Sequence, residues 1–362
     1  MKIGVACGGT GGHIFPGLTT ARALKGRGHD VSLWLAGRDV ESGSIAGWDG
    51  PVVSIHASGL PTGISSGLVT APLSFVRAFF QAREVVRTMK PDAMLAMGSY
   101  ASVGPVLAAR SQGVPVVLHE ANVVPGRALS FLSRVATCVA ISFPQTARYI
   151  RRGRVVHTGY PVRRDLEGSF EPGLLDPKVF TILVMGGSQG ATFLNQLATV
   201  ALQELKRAGK AVQVIHLAGR RDAEWVEAAY RQVDVPYLVF PFLKEMGKAY
   251  RAASLVLGRA GAGGCFELLR CRVPALLVPF PYARRDHQYA NALALRELVG
   301  IDVIDQAHLT APVLVKYLGD CIADRSRLDN MKRRMENSGN FDGADKLASL
   351  VESVASHATI EI

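Results

Sequence analysis

Glycines crowd a single histidine in GGTGGHIFPG (Gly8 to Gly17), directly after the apolar run KIGVAC. A strand that turns through glycines into a helix points backbone N–H groups and a positive helix end at one spot, and glycine lets a phosphate come close. His13 stands at the mouth of that helix, whose first turn Pro16 is expected to set. An imidazole that is neutral near pH 7 is a competent general base there, with a satisfied structural histidine as the alternative. A second turn, VMGGSQG (Val184 to Gly190), follows a later strand in the same way, and a third, MGSYASVG (Met97 to Gly104), follows a strand of the first half. The run is not a dinucleotide fingerprint, because Ile14 stands where G-x-G-x-x-G needs its third glycine. It is not a P-loop either: no Gly-Lys-Ser/Thr follows a Gly-rich turn, and Gly209-Lys210 leads into Ala211.

Other polar groups fall just past apolar runs, where open α/β sheets place ligand groups. HEAN (His119 to Asn122) follows VPVVL, with Asn122 capping the next helix as the competing reading. GRAGAGGCFELL (Gly258 to Leu269) carries Glu267, and a carboxylate accepts two hydroxyl hydrogen bonds from a sugar diol. PFPYARRDHQYANA (Pro279 to Ala292) supplies Asp286, His287, Gln288 and Asn291, suited to a sugar or base, although Asp286 also reads as a helix cap. Asp286 and His287 lack a nearby third ligand and make a poor metal site. The cysteines (Cys7, Cys138, Cys265, Cys271, Cys321) are scattered without a C-x-x-C pair, so neither zinc nor a disulfide framework is indicated.

These groups need elements to hold them. KIGVAC, DVSLWLA, PVVSIH, DAMLAM, VPVVLH and TCVAIS alternate with helical stretches; after residues 159–178 the pattern restarts with VFTILVM, AVQVIHLA, PYLVF, SLVLG and PALLVPF. Such alternation predicts two α/β domains with parallel sheets, joined by a Gly/Pro/Asp-rich linker, with a cleft expected between them. The last helical pattern, residues 342–355, is expected to pack back on the first domain. A net charge of +11 calls for an anionic partner: a phosphorylated small molecule, an anionic membrane or nucleic acid. Nucleic acid ranks last, since no helix-turn-helix, zinc-finger or RRM pattern accompanies the charge. No apolar run approaches the ~20 residues that span a bilayer, and no signal-peptide pattern precedes the first strand, so a cytoplasmic location is expected.

Read together and in order, GGTGGHIFPG, HEAN, GYPVR, GGSQGA, GRAGAGGCFE and DHQYANA resemble the MurG family of peptidoglycan glycosyltransferases over nearly the whole chain. The resemblance implies an α/β GT-B fold, two Rossmann-like domains with parallel sheets facing a central cleft. It implies an acceptor- and membrane-binding domain at 1–162, onto which a helix at about 342–357 packs back, and a UDP-sugar domain at 163–341. The implied reaction is inverting, metal- and cofactor-independent transfer of N-acetylglucosamine from UDP-N-acetylglucosamine to the C4 hydroxyl of undecaprenyl-diphosphate-linked N-acetylmuramyl-peptide, on the cytoplasmic face of the membrane. By the resemblance Thr10, Gly11 and Gly12 form the first Gly loop, Asn122 contacts sugar, and Arg163 and Ser188 contact the donor diphosphate. Leu243 lies beside the uracil, the segment Ala262, Gly263, Gly264, Cys265, Phe266 and Glu267 lines the nucleotide with Glu267 on the ribose, and Gln288 binds the transferred sugar. His13 is left beside the reacting hydroxyl. The chain departs from the family pattern at Ala121 (usually Gln), Ser99 (usually Gly) and Tyr160 (usually Asn). Two alternatives stand beside this reading: another GT-B enzyme acting on a glycolipid, and a non-catalytic nucleotide-sugar-binding protein.

A helix over APLSFVRAFFQAREVVRTMK (Ala71 to Lys90) places Phe75, Ala78, Phe79, Ala82, Val85, Val86 and Met89 on a core face. Leu73, Val76 and Phe80 then share a second face with Arg77, Arg83 and Arg87, a poor core and a good match to an anionic membrane surface, with a solvated basic face as the alternative.

Overall fold

The computed structural model describes residues 1–9, 11–37, 45–55, 67–166, 168–171, 173–187, 190–339 and 341–357, with the backbone alone at 67–73. It divides into two units, Met1–Arg163 with Asp342–Ile362, and Arg164–Phe341.

Among the described residues the first unit is built on β1 (Lys2–Ala6), β2 (Asp30–Ala36), β3 (Val52–Ile55), β4 (Ala93–Ala96), β5 (Val116–Glu120), β6 (Cys138–Ile141) and β7 (Arg154–His157). They form one sheet in the order β3-β2-β1-β4-β5-β6-β7, every pair parallel. Strands buried on both faces read as continuous apolar runs, which is why DVSLWLA and VPVVLH show no alternation. One face packs against the helices Gly11–Gly26 and Ala344–Ala355 through Leu18, Leu24, Leu347 and Val351. The other packs against the helices Gly67–Met89 and Val103–Ser111 through Ala78, Ala82, Val86 and Val106. Helix Ala344–Ala355 reaches this unit because its apolar residues recur at 347, 350, 351 and 354 and because the chain before it pairs with Tyr160. The Gly343 N–H donates to the Tyr160 carbonyl (2.8 Å), and Arg27 binds Glu352 (2.8 Å) and Asp345 (3.1 Å). Thr158 to Val162 are buried by this docking, so the expected linker begins only after the first unit is complete.

The second unit carries β8 (Phe180–Met185), β9 (Val212–Leu217), β10 (Tyr237–Phe240), β11 (Leu255–Gly258), β12 (Ala275–Leu277) and β13 (Asp302–Val303), all parallel, in the order β10-β9-β8-β11-β12-β13. In each sheet the strand order reverses beside the unit's first strand, between β1 and β4 and between β8 and β11. Ligands of open α/β sheets bind outside the carboxyl ends of strands at such a switch. Both Gly-rich turns emerge there.

Pro16 does not set the first turn of its helix. The helix starts at Gly11 and Pro16 lies inside it, with no N–H to return to the Gly12 carbonyl. The close helix–strand approach that a dinucleotide fingerprint obtains from its third glycine comes instead from Gly17, where a Cβ would overlap the Cys7 side chain.

Candidate functional site

In the first unit the turn after β1 packs on the turn after β4: a Cβ on Gly9, which has φ +123°, would lie 3.2 Å from Ser99 Cβ. Ser99, the departure from the family's glycine, is buried, and its Oγ lies 3.4 Å from Ser102 Oγ. Thr10 lies outside the described residues. Gly11, Gly12 and His13 make the first turn of the helix, Gly12 exposed and the other two half-buried. The first N–H groups of any helix have no partner within it, so this turn can receive an anion. The Arg163 guanidinium stands over the Phe15 ring, 5.7 Å from its centroid. Arg163 therefore packs on this helix and closes the first unit.

His119 and Glu120 end β5, and both are buried. His119 Nε2 lies 3.1 Å from Ser142 Oγ and 3.4 Å from the Gly159 carbonyl oxygen. Burial pushes the His119 ring down to about 4, and the charge of His13 pushes the same way. His119 is therefore neutral at pH 7 and a weak base. Glu120 ties off the loop that follows: Oε1 accepts from the backbone N–H (2.9 Å) and Nδ2 (3.2 Å) of Asn122, and Oε2 accepts from the Gly126 N–H (3.0 Å). Burial raises the Glu120 carboxyl above its ordinary value against the pull of those donors. Asn122 is thus not a helix cap. The N-cap of the next helix, Arg127–Leu132, is Gly126, and the Asn122 amide is oriented by Glu120. Tyr160, in place of the family's asparagine, is buried with its ring 6.1 Å from that of His119.

In the second unit the turn after β8 has left-handed glycines at Gly187 (φ +96°) and Gly190 (φ +77°), and a Cβ on Gly190 would overlap the Ala218 carbonyl. Ser188 lies outside the described residues. Helix Ala262–Cys271 starts right after β11 with Gly261 as its N-cap and no side-chain cap, so Ala262, Gly263 and Gly264 form a second open helix start. Cys265 and Phe266 are buried beneath it. Glu267, half-buried, accepts the Tyr250 hydroxyl on Oε2 (2.8 Å), and Tyr250 also lies 3.6 Å from Met185 Sδ. Met185 ends β8, and a Cβ on Gly264 would lie 3.7 Å from its Cε. The Gly186–Gly190 turn and the Ala262–Glu267 segment therefore share one sheet end.

Asn291 Nδ2 donates to the Ala260 carbonyl (3.1 Å), and Gln288 Oε1 accepts the Phe280 N–H (3.0 Å). Asp286 is at the N-cap position of helix His287–Val299 but makes no side-chain capping bond. Leu243 is half-buried between β10 and the helix Met246–Ala252 that carries Tyr250. Sequence reasoning did not find Tyr250 or Arg259. Arg259 donates to the carbonyls of Val278 (3.0 Å) and Pro279 (3.2 Å) and to Gln306 Oε1 (2.7 Å), tying the loops after β11 and β12 together. Burial lowers its guanidinium to about 10, so it stays charged.

Residues 3–141 match the glycosyltransferase family 28 N-terminal domain, and residues 181–347 match the family 28 C-terminal domain. The chain belongs to glycosyltransferase family 28. Among its family 28 relatives, the UDP-N-acetylglucosamine--N-acetylmuramyl-(pentapeptide) pyrophosphoryl-undecaprenol N-acetylglucosamine transferase of Ectopseudomonas mendocina is 38% identical over 352 residues, 97% of this chain and 98% of the relative. The enzyme of that name from Halothermothrix orenii is 34% identical over 370 residues, 98% and 99% of the two chains. Among solved structures, Acinetobacter baumannii MurG superposes with a TM-score of 0.78 at 29% identity, covering 98% of this chain and all of that one. The two parallel α/β units are those of a GT-B glycosyltransferase.

One pH effect follows from the buried rings. Burial lowers His119 from 6.5 to about 4 and His216 from 6.5 to about 3, so between those values the unfolded chain binds protons that the folded chain refuses. Their contribution is complete above pH 6.5 and is lost as pH falls toward 4. The urea midpoint should drop between about pH 7 and about pH 5, before most carboxylates titrate. A midpoint unchanged over that interval would contradict the burial of both rings as neutral species.

Proposed function

We propose that the protein transfers N-acetylglucosamine from UDP-N-acetylglucosamine to the C4 hydroxyl of undecaprenyl-diphosphate-linked N-acetylmuramyl-peptide, a step of peptidoglycan synthesis, with inversion. The observation that carries this reading is the pair of Gly-rich turns, one at the switch point of each sheet, with His13 in the first turn of one helix and Glu267 beside the other turn. It is joined by similarity, over nearly the full chain, to enzymes named for this transfer.

The first unit holds the acceptor, its diphosphate on the amides at Thr10, Gly11 and Gly12, and Asn122 against the sugar. The second holds the donor: Glu267 on the ribose diol, Leu243 beside the uracil, Ala262 to Phe266 along the nucleotide, Gln288 on the transferred sugar. His13 takes the proton of the C4 hydroxyl as its oxygen attacks the anomeric carbon, and UDP leaves from the opposite face. The resemblance assigns no metal to this step. Charge developing on the leaving diphosphate then falls to backbone amides of the turn after β8, with Ser188 and Arg163, which the resemblance assigns to the donor diphosphate. Single displacement is tested by the product: an α-linked donor should give a β-linked disaccharide by its anomeric proton signal, and an α-linked product would rule the mechanism out.

The acceptor's lipid explains a surface of the first unit. On helix Gly67–Met89, Val76 is 50% and Phe80 61% exposed, beside exposed Arg77, Arg83 and Arg87, whereas Ala78, Ala82 and Val86 are buried. Leu73, expected on the same face, lies where the backbone alone is described. Arg87 is paired with Glu84 (2.6 Å), which leaves Arg77 and Arg83 as the main charges toward a membrane. No described helix is long and apolar enough to cross one. This face rests on the anionic cytoplasmic surface, the apolar residues entering the interface and Arg77 and Arg83 each contributing about 1 kcal/mol. Phe80→Glu combined with Arg83→Glu should weaken binding to anionic liposomes at least roughly tenfold while sparing turnover of a water-soluble acceptor analogue. Unchanged liposome binding, or equal loss of both activities in a folded variant, would refute the assignment.

A further inference from the structure

A buried polar chain in the second unit ends on the Gly186–Gly190 turn. Tyr230, His216 and Asn195 are completely buried. They come from helix Ala223–Arg231, from β9 and from helix Thr192–Arg207. The Tyr230 hydroxyl lies 2.8 Å from His216 Nδ1, and His216 Nε2 lies 3.0 Å from Asn195 Oδ1. Asn195 Nδ2 reaches the Ala218 carbonyl (2.8 Å) and Asp222 Oδ2 (2.9 Å). The Thr192 hydroxyl donates to Asp222 Oδ2 (2.7 Å), and Arg221 Nε donates to Oδ1 (3.2 Å).

Chemistry fixes the direction of each bond. A carbonyl and a carboxylate only accept, so the Asn195 nitrogen faces Ala218 and Asp222 and its oxygen faces His216. That oxygen needs a donor, so the His216 proton sits on Nε2. Burial keeps the ring neutral at pH 7, with one proton only, and Nδ1 is left to accept the Tyr230 hydroxyl. Burial alone would raise the Asp222 carboxyl, but hydrogen bonds from Thr192, Trp225, Asn195 and Arg221 outweigh it and hold the group below its ordinary value. Asp222 is an anion that terminates the chain.

The far end is the turn itself. The carbonyl gripped by Asn195, that of Ala218, is the group against which Gly190 packs too closely for a Cβ. Thr192 and Asn195 belong to the first turn of the helix that follows, and the Asn195 N–H closes on the Ala191 carbonyl (2.9 Å). The end of the turn at Gly190 and the helix start that follows it are therefore held by one set of bonds. We infer that Tyr230, His216, Asn195 and Asp222 form a positioning network for the donor diphosphate, fixing the backbone at Gly190, where the turn after β8 ends, without touching the donor. This rests on the proposed assignment of that turn to the donor.

Tyr230→Phe removes the buried hydroxyl and adds no atom, leaving His216 Nδ1 without its donor, so the ring that anchors Asn195 Oδ1 keeps one of its two hydrogen bonds. The KM for UDP-N-acetylglucosamine and the Kd for UDP should rise about five- to tenfold, the loss of one buried hydrogen bond, while kcat and the acceptor KM stay within about twofold. Thr192→Val should act in the same direction from the other end, and Thr192→Ser, which keeps the hydroxyl, should restore the wild-type KM. In the protein without ligand, exchange of the Gly190 amide, bonded to the Gly187 carbonyl at 3.0 Å, should accelerate in Tyr230→Phe. Unchanged donor KM and Gly190 exchange in the folded variants would overturn the network's role. So would a parallel loss of kcat and both KM values with exchange accelerated throughout the unit, the mark of general destabilisation. A wild-type protein that binds no UDP would count against the donor site, while the exchange comparison, made without ligand, still decides whether the network holds the turn.

Discussion

Replacing His13 by alanine should lower kcat by roughly 10²- to 10⁴-fold at saturating concentrations of both substrates, the usual worth of a positioned general base. Both KM values should change little, because the proton transfer is made only in the transition state. The expectation rests on place and on elimination. His13 is half-buried in the first turn of helix Gly11–Gly26, at the carboxyl ends of β1 and β4. Of the other histidines at that end of the sheet, His119 is held neutral by burial down to about 4 and is committed to Ser142 and Gly159, and His157, on the edge strand β7, is bonded to the Ser142 carbonyl (3.1 Å). A loss of less than about tenfold would make His13 structural, since a base assignment predicts at least the lower end of that range.

The second large effect is at Glu267. Tyr250 engages Oε2, which orients the carboxylate, and a carboxylate accepts hydrogen bonds from both hydroxyls of a diol. Each charge-assisted hydrogen bond lost is worth ~1.5–3 kcal/mol, so Glu267→Ala should raise the KM for UDP-N-acetylglucosamine roughly 10- to 150-fold per bond and leave the acceptor KM unchanged. A 2′-deoxyribose donor should be poor for the wild type and nearly as good as the ordinary donor for the variant. Continued strong discrimination by the variant would show that another group reads the diol.

How far these sites could be read from sequence follows from which interactions are local. The Gly-rich turns were legible because strand, turn and helix are contiguous, and the faces of helix Gly67–Met89 because a 3.6-residue period needs one segment only. The short edge strands β7 and β13 were missed: RVVH is half-buried beside a single neighbour, and Asp302–Val303 is two residues long, so neither has a strong apolar run. The role of Pro16 was misjudged because a proline near a helix start is usually its first residue, and here the glycines begin the helix earlier. The Asn122 cap failed for a reason that sequence does show in part: Glu120, two residues before it, competes for the same amide. Tyr250 with Glu267, and Tyr230 with His216 and Asn195, join side chains from separate elements, and one sequence holds no signal for such pairs.

Turnover decides the matter most directly. The protein, UDP-N-acetylglucosamine and a short-chain lipid-linked diphospho-muramyl-peptide should release UDP in step with formation of a β-linked disaccharide, and omitting the acceptor should abolish release. UDP-N-acetylglucosamine that binds but yields no UDP with this acceptor present would contradict the proposed reaction.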